Sequence, residues 1–478
     1  MSEFLYSGKA YINGEFIDTE EKLTVISAID GTKIGTVPSL KEEDVRYAYQ
    51  AANNAFLKWS TLSHWDRVNK IKLFAEYFLE EKEFLANLMC LEIAKNYKDS
   101  LTEIERTYEY IQQTIEIYEK EFTKPVVMDE NIHNIKGKVG KFYNVPIGVV
   151  LAVAPFNYPI NLGLAKIIPT LLVGNTVIFK PATYGSLVSS QISKYFDKAG
   201  LPNGVLNVVI GKGSEIGDAL VENKYVKGIT FTGSSDIGAK IAQQAAFKNL
   251  VLELGGKDAA IVLDDVDVEV VAKEIVKGAF NYSGQRCTAI KRVIVLNKIA
   301  DELVIALKNE IEKLSVGSPL DNSFIVPLID KKSFEYNLSL IEDAKKTGAK
   351  LVTGAKVVGY NLIEPTLFDY VPLNSKLAWE EPFGPILPVI RVNKISEAIA
   401  ITNSSNYGLQ GSVFSSNVDK AILIAKHLET GTVNINRSSS RGPDIFPFIG
   451  VKESGFGVQG IRDSLKAMTR IKGIVENY

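Results

Sequence analysis

The alternation of apolar strands and helical segments that begins at Gly148 constrains the fold most. GVVLAVAP is a nearly continuous apolar run, and NTVIFKPA, VLNVVIG, GITFTGS and LVLELGG follow it at intervals that leave room for helices. Strands that are apolar on both faces are typical of a parallel sheet covered by helices on both sides. The pattern predicts a doubly wound α/β domain, with helices at 162–172, 186–199, 214–221 and 236–246.

The ligand crevice of such a sheet lies at the carboxyl ends of its strands. Five residues fall at predicted strand ends and could line one crevice: Lys180, Gly211, Gly233, Ser234 and Glu253. The stretch FTGSSDIG places glycines at a strand-to-helix turn, where a backbone can approach a phosphate. Its spacing is not GxGxxG, so a turn that serves only tight packing is the alternative interpretation.

A second α/β series begins near Gly256, and 478 residues are too many for one core. We predict a dinucleotide-binding domain from 1–122 and 144–255 and a catalytic domain from 256–448, with the site at their interface. The predicted elements of the second series are strands at 259–265, 292–297, 350–355, 386–392, 411–416 and 431–436 and helices at 268–280, 301–314, 334–347, 395–402 and 418–428.

The N-terminal third reads as a β meander over residues 1–50, with an Asn-Gly turn, followed by long helices at 66–95 and 99–122. Cys90 lies at apolar spacing in the first helix and is expected in the core. Residues 123–143 are polar and β-prone, which fits a surface loop or an arm that pairs with a second subunit. We assign them, with 449–478, to an oligomerisation arm and tail, and expect 465–475 to pair with the arm.

Composition excludes several classes of function. The formal net charge of -2 leaves no basic field for nucleic acid. Only two cysteines and three scattered histidines occur, so neither a disulfide framework nor a metal-ligand spacing is present. The first residues lack the pattern of a signal peptide, and the longest apolar stretch, 147–154, is too short to cross a membrane. We therefore expect a cytoplasmic protein without a metal.

Two groups suit the addition of a nucleophile to a carbonyl carbon. Cys287 lies in GQRCT, at a turn between a helix and a strand, where the adjacent Arg286 could lower the thiol pKa. The alternative is a small buried hydrophobic residue. Asn157, in APFNYP, could donate its amide to a developing oxyanion. The alternative is an asparagine that only forms a turn.

Two carboxylates complete this set. Glu253 lies among apolar residues and glycines, and burial should raise its pKa toward the range of a general base, unless it sits in a buried ion pair. Glu381, in WEEPFGP, could accept from a ribose hydroxyl with Phe383 packing on a ring, or could be a surface acid. A thiol, an amide donor, a carboxylate base and a dinucleotide crevice together suit oxidation of an aldehyde through a thioester.

The motifs APFNYP, GNTVIFKPA, FTGSSDIG, LELGGK, GQRCT and EEPFGP resemble, in order and separation, the aldehyde dehydrogenase superfamily over nearly the whole chain. The resemblance implies that Cys287 is the nucleophile, that Glu253 is the general base and that Asn157 forms the oxyanion hole with the Cys287 N–H. It also implies a homo-oligomer, with a tetramer favoured over a dimer. The cofactor-binding residues that it implies are Lys180, Gly233, Ser234, Glu381 and Phe383.

Within the superfamily, GQRCTAIKRV, PFNYPINL, AWEEPFGPILPVIRV and RGPDIFPFIGVKESGFGVQGI resemble the branch of non-phosphorylating glyceraldehyde-3-phosphate dehydrogenases. Guanidinium groups suit phosphate oxygens, although each arginine could also be an ordinary solvated charge. Arg437 is an alternative to Arg441 in the same loop. The resemblance implies that a substrate phosphate is bound by Arg106, Tyr158, Arg286 and Arg441, with Thr288 beside the nucleophile.

The resemblance also bears on cofactor and substrate. Relatives that prefer NAD often carry a carboxylate three residues after the lysine of KPA, and Thr183 occupies that position here. We therefore expect NADP, with NAD possible, and oxidation of D-glyceraldehyde 3-phosphate to 3-phosphoglycerate without inorganic phosphate. The alternative substrates are other small aldehydes, such as lactaldehyde or succinate semialdehyde. Intact Cys287, Glu253 and Asn157 argue against a non-catalytic structural protein, and no histidine is placed for a Cys-His hydrolase.

Overall fold

The computed structural model describes residues 6–129, 133–134 and 136–478. None of the helices in these residues is long and apolar enough to cross a membrane, and no group of acidic, histidine and cysteine side chains in them could hold a metal ion. The α-helices in this part of the chain are Glu42–Trp59, His64–Glu80, Lys82–Ile93, Tyr97–Glu121, Asn161–Leu172, Ser186–Lys198, Gly213–Val221, Ser235–Gln244, Val268–Phe280, Asn297–Ile311, Lys331–Lys346, Ile395–Asn403, Val418–Ala425 and Ile461–Ala467, with 3-10 turns at Asn281–Gly284, Pro319–Asp321 and Lys376–Ala378.

The first large sheet confirms the doubly wound α/β architecture. Its five central strands are parallel, whereas the strands at both edges run antiparallel to their neighbours. The order of the strands is Gly455–Phe456, Asn249–Glu253, Val226–Thr232, Val149–Val153, Thr176–Lys180, Leu206–Val208, Ala10–Ile12 and Glu15–Ile17. The carboxyl ends of these parallel strands lie on the same side of the sheet, and three of the strands end there at Lys180, Thr232 and Glu253.

The second large sheet carries the other half of the chain. It is parallel except for its first strand, and its order is Lys350–Thr353, Thr366–Asp369, Ile386–Val392, Arg292–Leu296, Ala259–Val262, Gln410–Phe414 and Thr432–Ile435. The strand Thr366–Asp369 is absent from the prediction because it is short and follows a proline. The proposed domain boundaries themselves stay a prediction.

The arm is a three-stranded antiparallel sheet of Thr469–Asn477, Lys138–Pro146 and Val126–Met128. The expected pairing of tail and arm is confirmed, although Leu465 belongs to the preceding helix and the strand begins only at Thr469. Residues 130–132 and 135 of the predicted arm lie outside the described residues. The remaining strands are Tyr6–Ser7, Lys33–Pro38 and Lys22–Ile26 in one sheet, with pairs of Val357–Gly359 and Leu362–Ile363, Tyr407–Gly408 and Val451–Lys452, and Phe448–Ile449 and Val458–Gln459.

Two predictions for the N-terminal third are wrong. The helix expected at 66–95 is broken at Glu81, whose backbone leaves the helical region (φ −99, ψ 16). Helical periodicity continues across that break, which is why the sequence did not reveal it. The strands expected to form one meander over 1–50 instead belong to two sheets. The hairpin around Asn13, which has a positive φ of 54, joins the first large sheet. Residues 1–5 lie outside the described residues.

A buried carboxylate anchors the helix that follows the strand ending at Lys180. Glu92 is fully buried, and its oxygens accept hydrogen bonds from the backbone N–H groups of Gly185, Leu187 and Val188 at 2.9–3.0 Å. Free N–H groups at a helix N-terminus favour a negative charge. Glu92, on helix Lys82–Ile93, thus holds the start of helix Ser186–Lys198 and the end of the loop that follows Lys180. Cys90 is buried in the same region, as expected.

Candidate active site

A cavity of about 230 Å³ lies between helices of the N-terminal half of the chain and the turn that contains Cys287. Helix Tyr97–Glu121, the loop after Val149–Val153 and the start of helix Asn161–Leu172 supply one wall, and the turn after helix Val268–Phe280 supplies the other. The structure brings together here Cys287 and all five predicted substrate-binding residues: Arg106, Tyr158, Arg286, Thr288 and Arg441.

The turn before Cys287 is held by both halves of the chain. Tyr282 and Ser283 both have positive φ values, 53 and 54, which residues other than glycine adopt only under constraint. The Tyr282 hydroxyl donates to the carbonyl of Ile93 at 2.8 Å, and the Ser283 hydroxyl donates to the carbonyl of Val326 at 2.7 Å. These contacts determine where the helix ends and hence where the thiol lies.

The cation beside Cys287 is not the expected one. Burial raises the pKa of the Cys287 thiol to about 11, and Lys291 opposes this rise. Lys291 donates to the Cys287 carbonyl and forms an ion pair with Glu381 at 2.9 Å. The Arg286 guanidinium instead donates to the carbonyl of Gly278. The expectation of a lowered thiol pKa beside Arg286 is therefore wrong for this form of the protein.

Asn157 lies directly against the nucleophile turn. Its side-chain amide is buried and donates to the backbone carbonyl of Gln285 at 2.9 Å. The backbone carbonyl of Asn157 accepts from Lys95 at 3.3 Å. An amide nitrogen has two N–H donors, so one remains for an oxyanion. Lys95 in turn forms a buried ion pair with Glu103 at 2.5 Å and lies 3.5 Å from the centre of the Tyr158 ring.

Glu253 ends its strand in a buried cluster of charges. Its carboxylate accepts from the Thr232 hydroxyl at 2.6 Å and pairs with Arg441 at 2.8 Å and Lys166 at 3.4 Å. Burial acts to raise the pKa of Glu253, but Arg441 and Lys166 outweigh burial and lower it. The expected raised pKa is wrong because both cations come from segments remote in sequence, whereas the alternative of a buried ion pair describes what is found.

The predicted phosphate-binding arginines already have partners within the chain. Arg106 makes a bidentate contact with Asp444 at 2.9 and 3.1 Å. The Nε of Arg286 is buried and has no hydrogen-bond partner among the described residues. Arg437 pairs with Glu274 at 2.8 Å and is largely exposed, so Arg441 is the loop arginine that lines the cavity.

Three of the seven predicted cofactor residues, Lys180, Ser234 and Glu381, line two further cavities. Lys180 lines one of about 260 Å³; its ammonium donates to the carbonyl of Pro181 at 2.9 Å, and burial lowers its pKa to about 8. Thr183 is exposed in the loop that follows. Gly211 is buried, and a Cβ there would meet Ile216 at 2.8 Å. Packing therefore leaves little space for any side chain larger than that of glycine at position 211.

Ser234 and Glu381 line the other cavity, of about 530 Å³. Glu381 accepts from the backbone N–H of Gly256 at 3.1 Å besides its ion pair with Lys291. The Gly233 N–H donates to the carbonyl of Glu253 at 3.1 Å. Phe383 has a positive φ of 45 and meets Phe156 edge-on, with ring centres 5.9 Å apart.

Comparison with known proteins agrees with this arrangement. The family model of the aldehyde dehydrogenase family matches residues 16–474. The chain belongs to the aldehyde dehydrogenase family. It is 45% identical to an NADP-dependent glyceraldehyde-3-phosphate dehydrogenase of Streptococcus equinus over 98% of each chain, and 33% identical to a lactaldehyde dehydrogenase of Methanococcus aeolicus over 98% of this chain and 99% of the relative. A crystal structure of an NADP-dependent glyceraldehyde-3-phosphate dehydrogenase from Bacillus halodurans, complexed with NADP, is 46% identical, with a TM-score of 0.96 over 99% of each chain.

Several polar residues of this aldehyde dehydrogenase site were not predicted from its sequence. Lys166 is the only charge in the helix Asn161–Leu172, all of whose residues are buried, and a lone lysine in such an apolar run is a signal that could have been used. Lys291 follows the nucleophile by four residues, which is a weaker signal. The remaining unpredicted residues, Lys95, Glu103 and Asp444, carry no local signal.

Replacement of Lys291 by Met should slow alkylation of this aldehyde dehydrogenase at Cys287. Loss of the nearby cation raises the thiol pKa further above 11, and a rise of up to one unit lowers the thiolate fraction by roughly 3- to 10-fold. The rate with iodoacetamide should be followed as a function of pH by peptide mass spectrometry, which separates Cys287 from Cys90. Lys291→Arg is the matched control and should retain most of the reactivity; equal rates in all three proteins would contradict the assignment.

Proposed function

We propose that this enzyme oxidises D-glyceraldehyde 3-phosphate to 3-phosphoglycerate with NADP, through a thioester on Cys287 that water hydrolyses without inorganic phosphate. The observation that carries the proposal is the cavity itself, which joins Cys287 to the guanidinium groups of Arg106, Arg286 and Arg441. Three arginines in one small cavity suit a dianion better than an uncharged aldehyde. The similar NADP-dependent enzymes support the same activity.

The side chains of the site supply the chemistry of acyl transfer. The Cys287 thiolate adds to the aldehyde carbon, and the amide of Asn157 with the Cys287 N–H stabilises the oxyanion that forms. NADP, when bound, accepts the hydride that leaves this carbon. Glu253 then takes a proton from water as its oxygen attacks the thioester, and the carbon–sulfur bond breaks to return the thiolate.

The residues present fit NADP. Lys180 ends its strand beside a cavity, and within the described part of the chain its ammonium donates only to the backbone carbonyl of Pro181, so the cation is available to a phosphate. Thr183 is exposed and neutral where a carboxylate would repel a 2′-phosphate. Ser234 and Glu381 line the second cavity and would offer a hydroxyl and a carboxylate to the polar groups of a dinucleotide.

One observation favours the alternative of a small unphosphorylated aldehyde. Arg106 and Arg441 are paired with Asp444 and Glu253, so a phosphate must compete with carboxylates of the protein itself. An aldehyde such as lactaldehyde needs no such exchange, and a lactaldehyde dehydrogenase is among the relatives. The buried, unpartnered Nε of Arg286 nevertheless offers a donor that an uncharged substrate leaves unsatisfied.

The enzyme should reduce NADP with D-glyceraldehyde 3-phosphate in a buffer free of inorganic phosphate, because water rather than phosphate attacks the thioester. The measurement is the absorbance of the reduced nicotinamide, repeated with phosphate added. Turnover only with phosphate would contradict hydrolysis. Activity confined to lactaldehyde or succinate semialdehyde would favour the alternative.

Cys287→Ser should abolish turnover while NADP still binds, and retained turnover would contradict the thioester.

Thr183→Glu should raise the KM for NADP by roughly fivefold, since a carboxylate near the 2′-phosphate costs on the order of 1 kcal/mol at an exposed position. The KM for NAD should change little. Steady-state kinetics with both cofactors provide the measurement, and Thr183→Gln is the uncharged control of similar size. Equal effects on NADP and NAD would show that Thr183 does not lie beside the 2′-phosphate.

We also propose that the arm pairs with a second copy of the chain and that the assembly is a tetramer. Several apolar side chains of its C-terminal strand are exposed in the isolated chain, among them Ile471, Ile474 and Val475, at 68%, 47% and 53%. Exposed apolar groups on a sheet favour association with another surface.

Sedimentation velocity should give a tetramer for the wild type and smaller species for the double variant Ile471→Lys and Val475→Lys, because lysines place charge in the proposed contact. Leu57→Lys is the control: Leu57 is 70% exposed on helix Glu42–Trp59, away from the arm. A wild-type monomer, or loss of the tetramer in the control alone, would contradict the role of the arm.

A further inference from the structure

Arg441 has a partner on each nitrogen of its guanidinium group. Nη1 donates to Glu253 at 2.8 Å, Nη2 donates to Gln459 at 2.7 Å, and Nε lies 3.8 Å from Asp444. The group is also 4.9 Å from the centre of the Phe448 ring. A guanidinium has five N–H donors and binds phosphate through two of them, so a phosphate that reaches the Nη1 side of Arg441 competes with Glu253 for the same cation.

The contact to Glu253 can be exchanged without leaving the carboxylate unpaired. The Glu253 carboxylate keeps the Thr232 hydroxyl at 2.6 Å and the Lys166 ammonium at 3.4 Å after Arg441 leaves. It therefore does not become a buried charge without a partner, which would be costly. Arg441 in turn exchanges a monoanion for a dianion. Both groups remain paired before and after the exchange.

We propose that Arg441 is shared between Glu253 and the phosphate of the substrate, so that binding of the phosphate frees Glu253 to act on water. The inference rests on the proposed function, because it takes that phosphate as the ligand of Arg441. In the form described here Glu253 is held as a paired carboxylate, which is a weak base. A substrate with a phosphate thus promotes hydrolysis of its own thioester: Glu253 accepts the proton of water, the water oxygen bonds to the acyl carbon, and the Cys287 sulfur leaves with the electron pair.

The charges around Glu253 determine whether its pKa rises or falls when Arg441 moves away. Lys166 approaches from helix Asn161–Leu172 and Arg441 from the C-terminal loop, with Asp444 behind Arg441 and Cys287 across the cavity. Burial raises the pKa of Glu253, and Arg441 is the strongest influence that lowers it. Withdrawal of Arg441 toward a phosphate leaves burial opposed mainly by Lys166, so the carboxylate becomes more basic.

The test uses an acyl group that carries no phosphate. Cys287 is acetylated with p-nitrophenyl acetate, the excess ester is removed, and loss of the acetyl group is followed by intact mass with increasing phosphite, a small dianion. Phosphite should accelerate hydrolysis in the wild type by about tenfold, a part of the roughly 100-fold or more that a general base contributes in full. In Arg441→Met, hydrolysis should be faster than in the wild type without phosphite and insensitive to it.

Three controls make the result specific. Arg437→Met removes an arginine of the same loop that does not line the cavity and should respond as the wild type does. Glu253→Gln should hydrolyse slowly with or without phosphite, which shows that the anion does not itself attack the thioester. Cys287→Ser reports acetylation elsewhere on the chain. Acetate as the product confirms that water is the nucleophile.

The inference is overturned if phosphite does not change hydrolysis in the wild type, if Arg441→Met keeps the acceleration, or if that variant hydrolyses more slowly than the wild type. The last result would mean that Arg441 orients Glu253 for catalysis. Failure of the proposed function is a separate result, because it appears as absent NADP reduction with D-glyceraldehyde 3-phosphate, while the acetyl-enzyme still reports the link between Arg441 and Glu253.

Discussion

A carboxylate inside a protein must be paired, and this requirement at Glu253 connects three distant parts of the chain. Only 6% of the residue is exposed. Lys166 reaches it from a buried helix, Arg441 from the C-terminal loop and Thr232 from the neighbouring strand. A buried charge left without any partner costs about 3–5 kcal/mol. The helix, the strand and the loop therefore hold one another in place through the group assigned to catalysis.

The architecture could be predicted because the signals for it are local. Short, mostly apolar runs mark the buried strands, and the parallel order follows from the helices between them. The exceptions show the limit of such signals. The break at Glu81 interrupts no periodicity, and the strand Thr366–Asp369 is only four residues long. Register and helix ends depend on tertiary contacts that a pattern does not contain.

The site was harder to predict than the fold, since its electrostatics arise between segments far apart in sequence. Glu253 and Arg441 are separated by 188 positions, and nothing near either residue indicates the other. The direction expected for the pKa of Glu253 failed for this reason, because Arg441 acts on it through space. The direction expected for the pKa of Cys287 failed because burial of the thiol outweighs the nearby cation of Lys291. The motifs identified which residues gather in the cavity but not which of them pair.

The strand Gly455–Phe456 has a consequence for how the chain is made. It covers the edge of the first sheet by pairing with the end of strand Asn249–Glu253. While the ribosome is still synthesising the second half of the protein, that edge has no partner, and open sheet edges recruit other strands. A nascent or C-terminally truncated chain therefore presents an unpaired strand edge that ends at Glu253, and aggregation through this edge is prevented only once the strand Gly455–Phe456 has paired with it.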